Sequence, residues 1–329
     1  MPLPRVSAWV PTGSPALDRA LGGGIPVGRT TEVFGAEGSG KSTFLEHLYV
    51  GVRHGLKGLV VDIDAEATRD EGKLQRLGLK AAEFVYCRPV HLAQILDVIL
   101  ELTRSLQGAK FPTIVGVDSL AAISTEEEQD GAMGAHAGNR AHARYVSEFF
   151  RKVPSLLHTA NMALVFVNQA KSTVEGGRMV ERTFAGKAVP FHATVRVRLV
   201  IIGQYKNAAG YVEGLKVLAT MVKNKVDIPY RKVILPLYFD LGIDSTASVI
   251  ATLAEHGLLM AEGNRVVLRT ATKETRFYLH ESQRYAAFKA KVAEDPALLD
   301  EAVALLWNPD AADIIRRVPE PVCAVEVGA

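Results

Sequence analysis

The chain has 329 residues, 48% of them hydrophobic and 22% charged, enough for a full core and, on length, about two domains. Thirty-eight Lys and Arg stand against 36 Asp and Glu, a formal net charge of +2, so any nucleic-acid contact must come from cations gathered on one surface. Cys87 and Cys323 lie too far apart to suggest a disulfide framework or a zinc site, and no apolar run approaches the length of a membrane span.

The N-terminal segment, 1–28, opens with "MPLPRVSAWVPTGS", which has no signal-peptide core, so a cytoplasmic location is expected. From 29 to 240, short apolar runs bounded by turn residues follow one another: "TTEVFG", "GLVVDID", "EFVYC", "TIVGVDS" and "ALVFVNQ". Helix-length segments lie between several of them, such as "HLAQILDVILELTRSL", with apolar residues three and four apart. Apolar strands separated by helices predict an α/β fold with a mostly parallel central sheet covered on both faces. The later runs "TVRVRLVII", "LKVLATMV" and "KVILPLYF" have no long helices between them and read as antiparallel additions at one end. From 241 to 309 the texture becomes that of a small α+β C-terminal domain, with a helix pair broken at Asp295–Pro296, and 310–329 form a tail.

The first motif is "GAEGSGKST", composed of Gly35, Ala36, Glu37, Gly38, Ser39, Gly40, Lys41, Ser42 and Thr43. It fits G-x-x-x-x-G-K-[ST] and sits between a strand and a helix, the context this phosphate-binding loop requires. Glycines let backbone N–H groups converge on phosphate oxygens, and the helix adds its positive end. Lys41 can reach the β- and γ-phosphates, and the Ser42 hydroxyl can ligate Mg²⁺. Asp118 ends the strand "TIVGVDS". Aspartates end strands for turn reasons too, but beside a phosphate loop this one can hold Mg²⁺ through water. Hydrolysis also needs a group to orient and deprotonate water. In "VVDIDAEATRD", Asp62, Asp64 and Glu66 all compete for that role. Asp62 and Asp64 share one side of the strand, so spacing does not choose.

These residues, in this order, resemble the RecA recombinase family. "PTGSPALDRALGGGIPVGRTTEVFGAEGSGKST" is similar to the family's entry segment and phosphate loop. "DAE" at Asp64–Glu66, "VDSLAA", "VFVNQ" and "MVKNKVDIPYR" are similar to its later motifs, and the likeness runs from about Pro11 to Pro309. The resemblance implies a RecA-like P-loop ATPase core. It implies an ATP- and Mg²⁺-dependent helical filament of identical subunits on single-stranded DNA. Such a filament pairs that strand with homologous duplex DNA and exchanges strands, in recombination and repair.

The resemblance also assigns residues. Glu66 becomes the catalytic carboxylate, and Gln169 the γ-phosphate sensor at the base of a second DNA-binding loop, about 170–186. That loop is polar and long, and Lys171, Arg178 and Arg182 in it can neutralise phosphates. Val174 falls where the family places an apolar wedge between base triplets, or is an incidental apolar residue. Gly186 and Phe191 match the return into the core. The first DNA loop is expected near 125–139. Arg144 and Arg151, seven residues apart and so on one helix face, fall where the family's arginines touch DNA. Lys223 and Lys225 are expected on one side of a strand, entering the neighbouring subunit's ATP site and steadying transition-state charge in trans.

The departures are local. About ten residues precede "VPTGS", in place of the family's docking helix, and "PLPRVSAWV" is expected to add as a strand or hook. Lys73 stands where bacterial members stack a tyrosine on adenine, while Asp70 still matches a polar partner of the base. "IIRRVPEPV" replaces an acidic tail. These features suit a divergent, trimmed member, such as one from a virus or mobile element. Two other readings stay open: an accessory ATPase of this fold acting through a protein partner, and a ring-forming helicase-type motor. Arg196 and Arg198 alternate like ordinary strand residues rather than like the arginine finger of such a motor.

Overall fold

A computed structural model describes residues 5–89, 91–119, 137–175, 178–183 and 188–311. The expected first DNA loop therefore lies outside the described residues except for 137–139, as do Gly186, Cys323 and the tail beyond 311.

The chain enters through β1 (Trp9–Val10), α1 (Pro15–Leu21) and β2 (Ile25–Pro26). Ser14 caps α1 by accepting from the Leu17 N–H, and Pro15 occupies the first turn, where its missing N–H costs nothing. β1 pairs with β2 in its own chain, so the end of the segment expected to act as a strand or hook is used at home. The core follows as β3 (Thr30–Gly35), α2 (Lys41–Val50), β4 (Leu59–Asp64), α3 (Glu71–Arg76), β5 (Val85–Cys87), α4 (Leu92–Ser105) and β6 (Thr113–Asp118). It continues as α5 (Ala137–Thr159), β7 (Met162–Glu175), β8 (Arg178–Thr183), α6 (Ala188–His192), β9 (Val195–Lys206), β10 (Val212–Asn224), β11 (Lys232–Tyr238) and β12 (Gly242–Ile243).

The central sheet runs β12-β11-β10-β9-β3-β7-β6-β4-β5. The six strands from β9 to β5 are mutually parallel, and β10, β11 and β12 add antiparallel, as the sequence predicts. Alternation along the inner strands sorts side chains between two covered faces. Val60, Ile114, Ala163 and Val165 face the cluster containing Phe44, Leu45 and Leu48 of α2. Val61, Ile63, Val115, Val117 and Phe166 face α4 and α5. On that second face Phe150 meets Phe149 and Phe166 edge-on, at 5.3 and 5.4 Å between ring centroids, each pair contributing about 1 kcal/mol beyond its burial.

The same parity puts Asp62, Asp64, Gly116 and Asp118 on the α2 face, so the acidic residues share the side that carries the phosphate loop. The C-terminal part comprises α7 (Ser245–Glu255), β13 (Met260–Glu262), β14 (Arg265–Arg269), β15 (Glu274–Phe277), α8 (Ala286–Glu294) and α9 (Ala297–Leu305). β13, β14 and β15 make a small antiparallel sheet. Phe288, Leu298 and Leu305 join the apolar cluster of the core, and Tyr205 of β9 lies against Tyr238 and Tyr285.

One region departs from expectation. Residues 170–186 read as a loop without structure of its own, yet β7 continues to Glu175 and returns as β8. The ladder pairs Ala170 with Thr183, Val174 with Met179 and Glu175 with Arg178. The β-formers Thr173, Val174, Val180 and Thr183 favour this extension of a buried strand, a preference the charged residues obscure in the sequence.

Candidate nucleotide-binding and catalytic site

β3 is buried along its whole length and delivers the phosphate loop at its C-terminal end. Gly40, just before α2, has φ +87°, a left-handed conformation that favours glycine, and a Cβ there would also push on the Leu237 side chain at 2.4 Å. Lys41 is buried, and its amine donates to the Ala36 carbonyl at 2.7 Å, holding it across the loop. Burial lowers its pKa, opposed by Asp118, Glu66 and Glu37, the carboxylates that surround it. Beside the loop opens a cavity of about 310 Å³, lined also by Lys73, Arg76, Leu77, Phe239 and Asp240.

Asp118 is buried at the end of β6, and the Ser42 hydroxyl hydrogen-bonds to it. Burial raises its pKa, with Glu66 and Asp62 adding, while Arg69 and the Ser42 bond pull it down. Its Oδ2 accepts no hydrogen bond among the described residues and meets the Arg69 guanidinium at 3.3 Å. Two hard oxygen donors side by side next to a phosphate loop are the donor set Mg²⁺ takes.

The three competing carboxylates separate by environment. Asp62 is fully buried and accepts from the Tyr49 hydroxyl at 2.6 Å and from Arg69 Nε at 2.7 Å. Asp64 is also fully buried and accepts from the Arg69 N–H and the Tyr86 hydroxyl, both at 3.0 Å. Glu66 alone is exposed, and it accepts from the Ser119 hydroxyl at 2.8 Å, beside Asp118. Asp70 caps α3, accepting from the Lys73 N–H at 2.7 Å. The Lys73 amine is held by Glu46 Oε2 at 2.7 Å and Thr43 Oγ1 at 3.0 Å.

Other expected residues fall around this centre. Gln169 pairs in register with Gly35, so the foot of the β7–β8 hairpin lies beside the first residue of the phosphate loop. Lys171, Val174, Arg178 and Arg182 lie on the hairpin; Arg144 and Arg151 lie on α5, with Arg151 exposed. Lys223 and Lys225 are not brought to this site. Ala219 partners Leu199, which partners Gly35, so Lys223 lies four residues, roughly 13 Å, farther along the sheet. Its amine donates to the Pro190 and Phe191 carbonyls, both at 2.8 Å. Lys225 falls one residue past the end of β10, where its N–H donates to the Thr194 carbonyl at 3.1 Å, close enough to Lys223 to act on its charge. Arg196 is an ordinary strand residue whose guanidinium pairs with buried Glu32 at 2.5 Å.

The sequence reading missed Glu46, Tyr49, Arg69 and Ser119. A signal existed. Glu46 interrupts the apolar "TFLEHLY" and Asp62 interrupts "LVVDID", and buried carboxylates need a cation.

Comparison with known proteins agrees with this geometry. The model of the RecA N-terminal domain family matches residues 5–244. Protein RecA of Thermus aquaticus is 35% identical over 260 residues, 78% of this chain and 74% of that protein. Protein RecA of Nitratidesulfovibrio vulgaris is 32% identical over 306 residues, 92% and 79% of the two chains. A mitochondrial DNA repair protein recA homolog of Dictyostelium discoideum is 32% identical over 284 residues, 83% and 61%.

Proposed function

The chain belongs to the RecA family, and on that premise we propose an ATP-driven, single-stranded-DNA-binding recombinase whose hydrolytic site is completed by a second copy of itself. The observation that carries the reading is the pairing of Gln169 with Gly35: the strand that touches the phosphate loop is the strand that becomes the hairpin. An altered position of Gln169 at the γ-phosphate is then passed to the hairpin through continuous backbone.

In this reading the loop amides and Lys41 bind the triphosphate. Ser42 and, through water, Asp118 would hold Mg²⁺, which would supply neutralisation of the phosphate charge. Glu66, exposed and anchored on Ser119, takes the proton of the attacking water. Lys223 and Lys225, at the opposite end of the sheet from the phosphate loop, would turn to the neighbouring copy's γ-phosphate, where they offset developing charge. Repeating this head-to-tail contact generates an open helical filament. Lys171, Arg178 and Arg182 engage the single strand through phosphates, leaving its bases for pairing with a homologous duplex. No helix among the described residues is long and apolar enough to cross a membrane.

ATP turnover measured with and without a homopolymer single strand tests the reading. Turnover is expected to rise by about 10³-fold or more with DNA, the scale of a cation supplied in trans. Equal rates would instead favour an accessory ATPase acting through a protein partner, and closed rings under the electron microscope a helicase-type motor.

A further inference from the structure

Two carboxylates sit where apolar residues belong. Asp62 lies in the middle of β4 and Glu46 on the inward face of α2, and both side chains are almost wholly buried. Neither lines the cavity beside the phosphate loop. What they do is hold one side chain. Arg69 Nε and Nη2 fork onto Asp62 at 2.7 and 3.1 Å, and Nη1 meets Glu46 at 3.4 Å. Tyr49 adds its hydroxyl to Asp62, and it reaches there because residue 116 is glycine: a Cβ at Gly116 would lie 2.1 Å from the Tyr49 hydroxyl oxygen. Held on these sides, the guanidinium presents Nη2 to Asp118 Oδ2 at 3.3 Å. The backbone N–H of Arg69 donates to Asp64, so the same residue fastens the segment that carries Glu66.

A buried ion cluster is seldom a source of net stability, because desolvation offsets the attraction and apolar side chains of similar volume do as well. This cluster leads to the site at both ends. One end is Asp118. At the other, the second oxygen of Glu46 holds Lys73, which bonds Thr43 of the phosphate loop and lines the cavity.

We infer that Arg69 is a positioning residue for the metal carboxylate. With its fork anchored on Asp62, its Nη2 sets a positive charge 3.3 Å from one oxygen of Asp118 and so biases the rotation of the carboxylate that meets Ser42, while its backbone holds the Glu66 segment in place. The inference rests on the nucleotide and Mg²⁺ reading of this site and extends it to a residue that touches neither ligand. A planar fork anchored on two carboxylates fixes orientation in a way that a lysine, a point charge, does not.

The test measures binding of a fluorescent ATP analogue to the full chain by anisotropy, with Mg²⁺ and with EDTA. It compares the wild type with Arg69→Lys and Arg69→Gln, and checks each by circular dichroism and thermal melting. The ratio of the two affinities reports the Mg²⁺ contribution alone. Arg69→Lys is expected to lose about tenfold or more of that ratio, the usual cost of disturbing a group behind a metal ligand, and to keep wild-type affinity in EDTA. Arg69→Gln is expected to lose at least as much. A folded Arg69→Lys with the wild-type ratio overturns the inference, whatever Arg69→Gln does. If neither variant folds, Arg69 is a structural arginine and the inference also falls. A wild type that gains nothing from Mg²⁺ sinks the underlying site reading and the inference with it; a wild type that gains while Arg69→Lys gains equally sinks only the inference.

Discussion

The cations at the two ends of the central sheet are treated in opposite ways. Beneath the phosphate loop, Arg69 and Lys73 meet carboxylates of their own chain, and although burial opposes it, Tyr49, Asp62 and Asp118 leave the Arg69 pKa raised. Some four residues along the sheet, Lys223 meets two carbonyls instead. Burial, then Lys225 and Arg196, push its pKa down to about 8, with only Glu32 opposing. A cation neutralised within its chain has a task there. A cation held near carbonyls beside other cations is prepared for an anion that another molecule brings. In the function proposed above, the first end is the one that holds Mg²⁺ within the chain, and the second is the one that meets a neighbouring copy's phosphate.

Removing the lysine of the phosphate loop, at the same end as Arg69 and Lys73, has the largest expected effect. Lys41→Ala should abolish nucleotide binding or reduce turnover by about 100-fold or more, measured by equilibrium binding and phosphate release. Turnover within a few-fold of wild type would break the contrast at its stronger end. Next comes Glu66→Gln, which should keep ATP binding while turnover drops about 100-fold, the usual share of a general base. Full turnover in that variant would return the role to another carboxylate. Arg178→Ala with Arg182→Ala should lower the salt dependence of single-strand binding by about two phosphate contacts and leave ATP binding alone; an unchanged salt slope takes the hairpin off the DNA.

The smallest effect concerns pH. With its pKa at about 8, Lys223 carries its charge below that pH and loses it as pH rises through 8, well before an ordinary lysine. Turnover at subsaturating ATP, which reports the free protein, should therefore fall on the alkaline side of pH 8. Lys223→Arg, which stays charged there, should carry the fall to higher pH. A pH profile identical in the two proteins would remove Lys223 from the rate.

Most of the fold is legible in the sequence, because apolar runs such as "TIVGVDS" and "ALVFVNQ" fit only strands covered on both faces. The phosphate loop and Asp118 are legible because phosphate chemistry constrains both residue type and spacing. Three things are not. The β7–β8 hairpin pairs through its backbone, and its charged side chains hide the β-forming residues between them. Choosing among Asp62, Asp64 and Glu66 takes tertiary partners: Tyr49, Tyr86 and Arg69 occupy the first two and leave Glu66 exposed. Arg69 itself looks like one more surface charge until β4 and α2 bring Asp62 and Glu46 around it.

The shared site can be tested by mixing two inert proteins. One is Lys41→Ala, which keeps Lys223 and Lys225; the other is the double variant Lys223→Ala, Lys225→Ala, which keeps the phosphate loop. Each alone should show no DNA-stimulated ATP turnover. In an equal mixture, random assembly should place an intact loop against an intact lysine pair at roughly a quarter of the contacts, and turnover should return to about that fraction of wild type. A mixture as inactive as its components would contradict a site built from two copies.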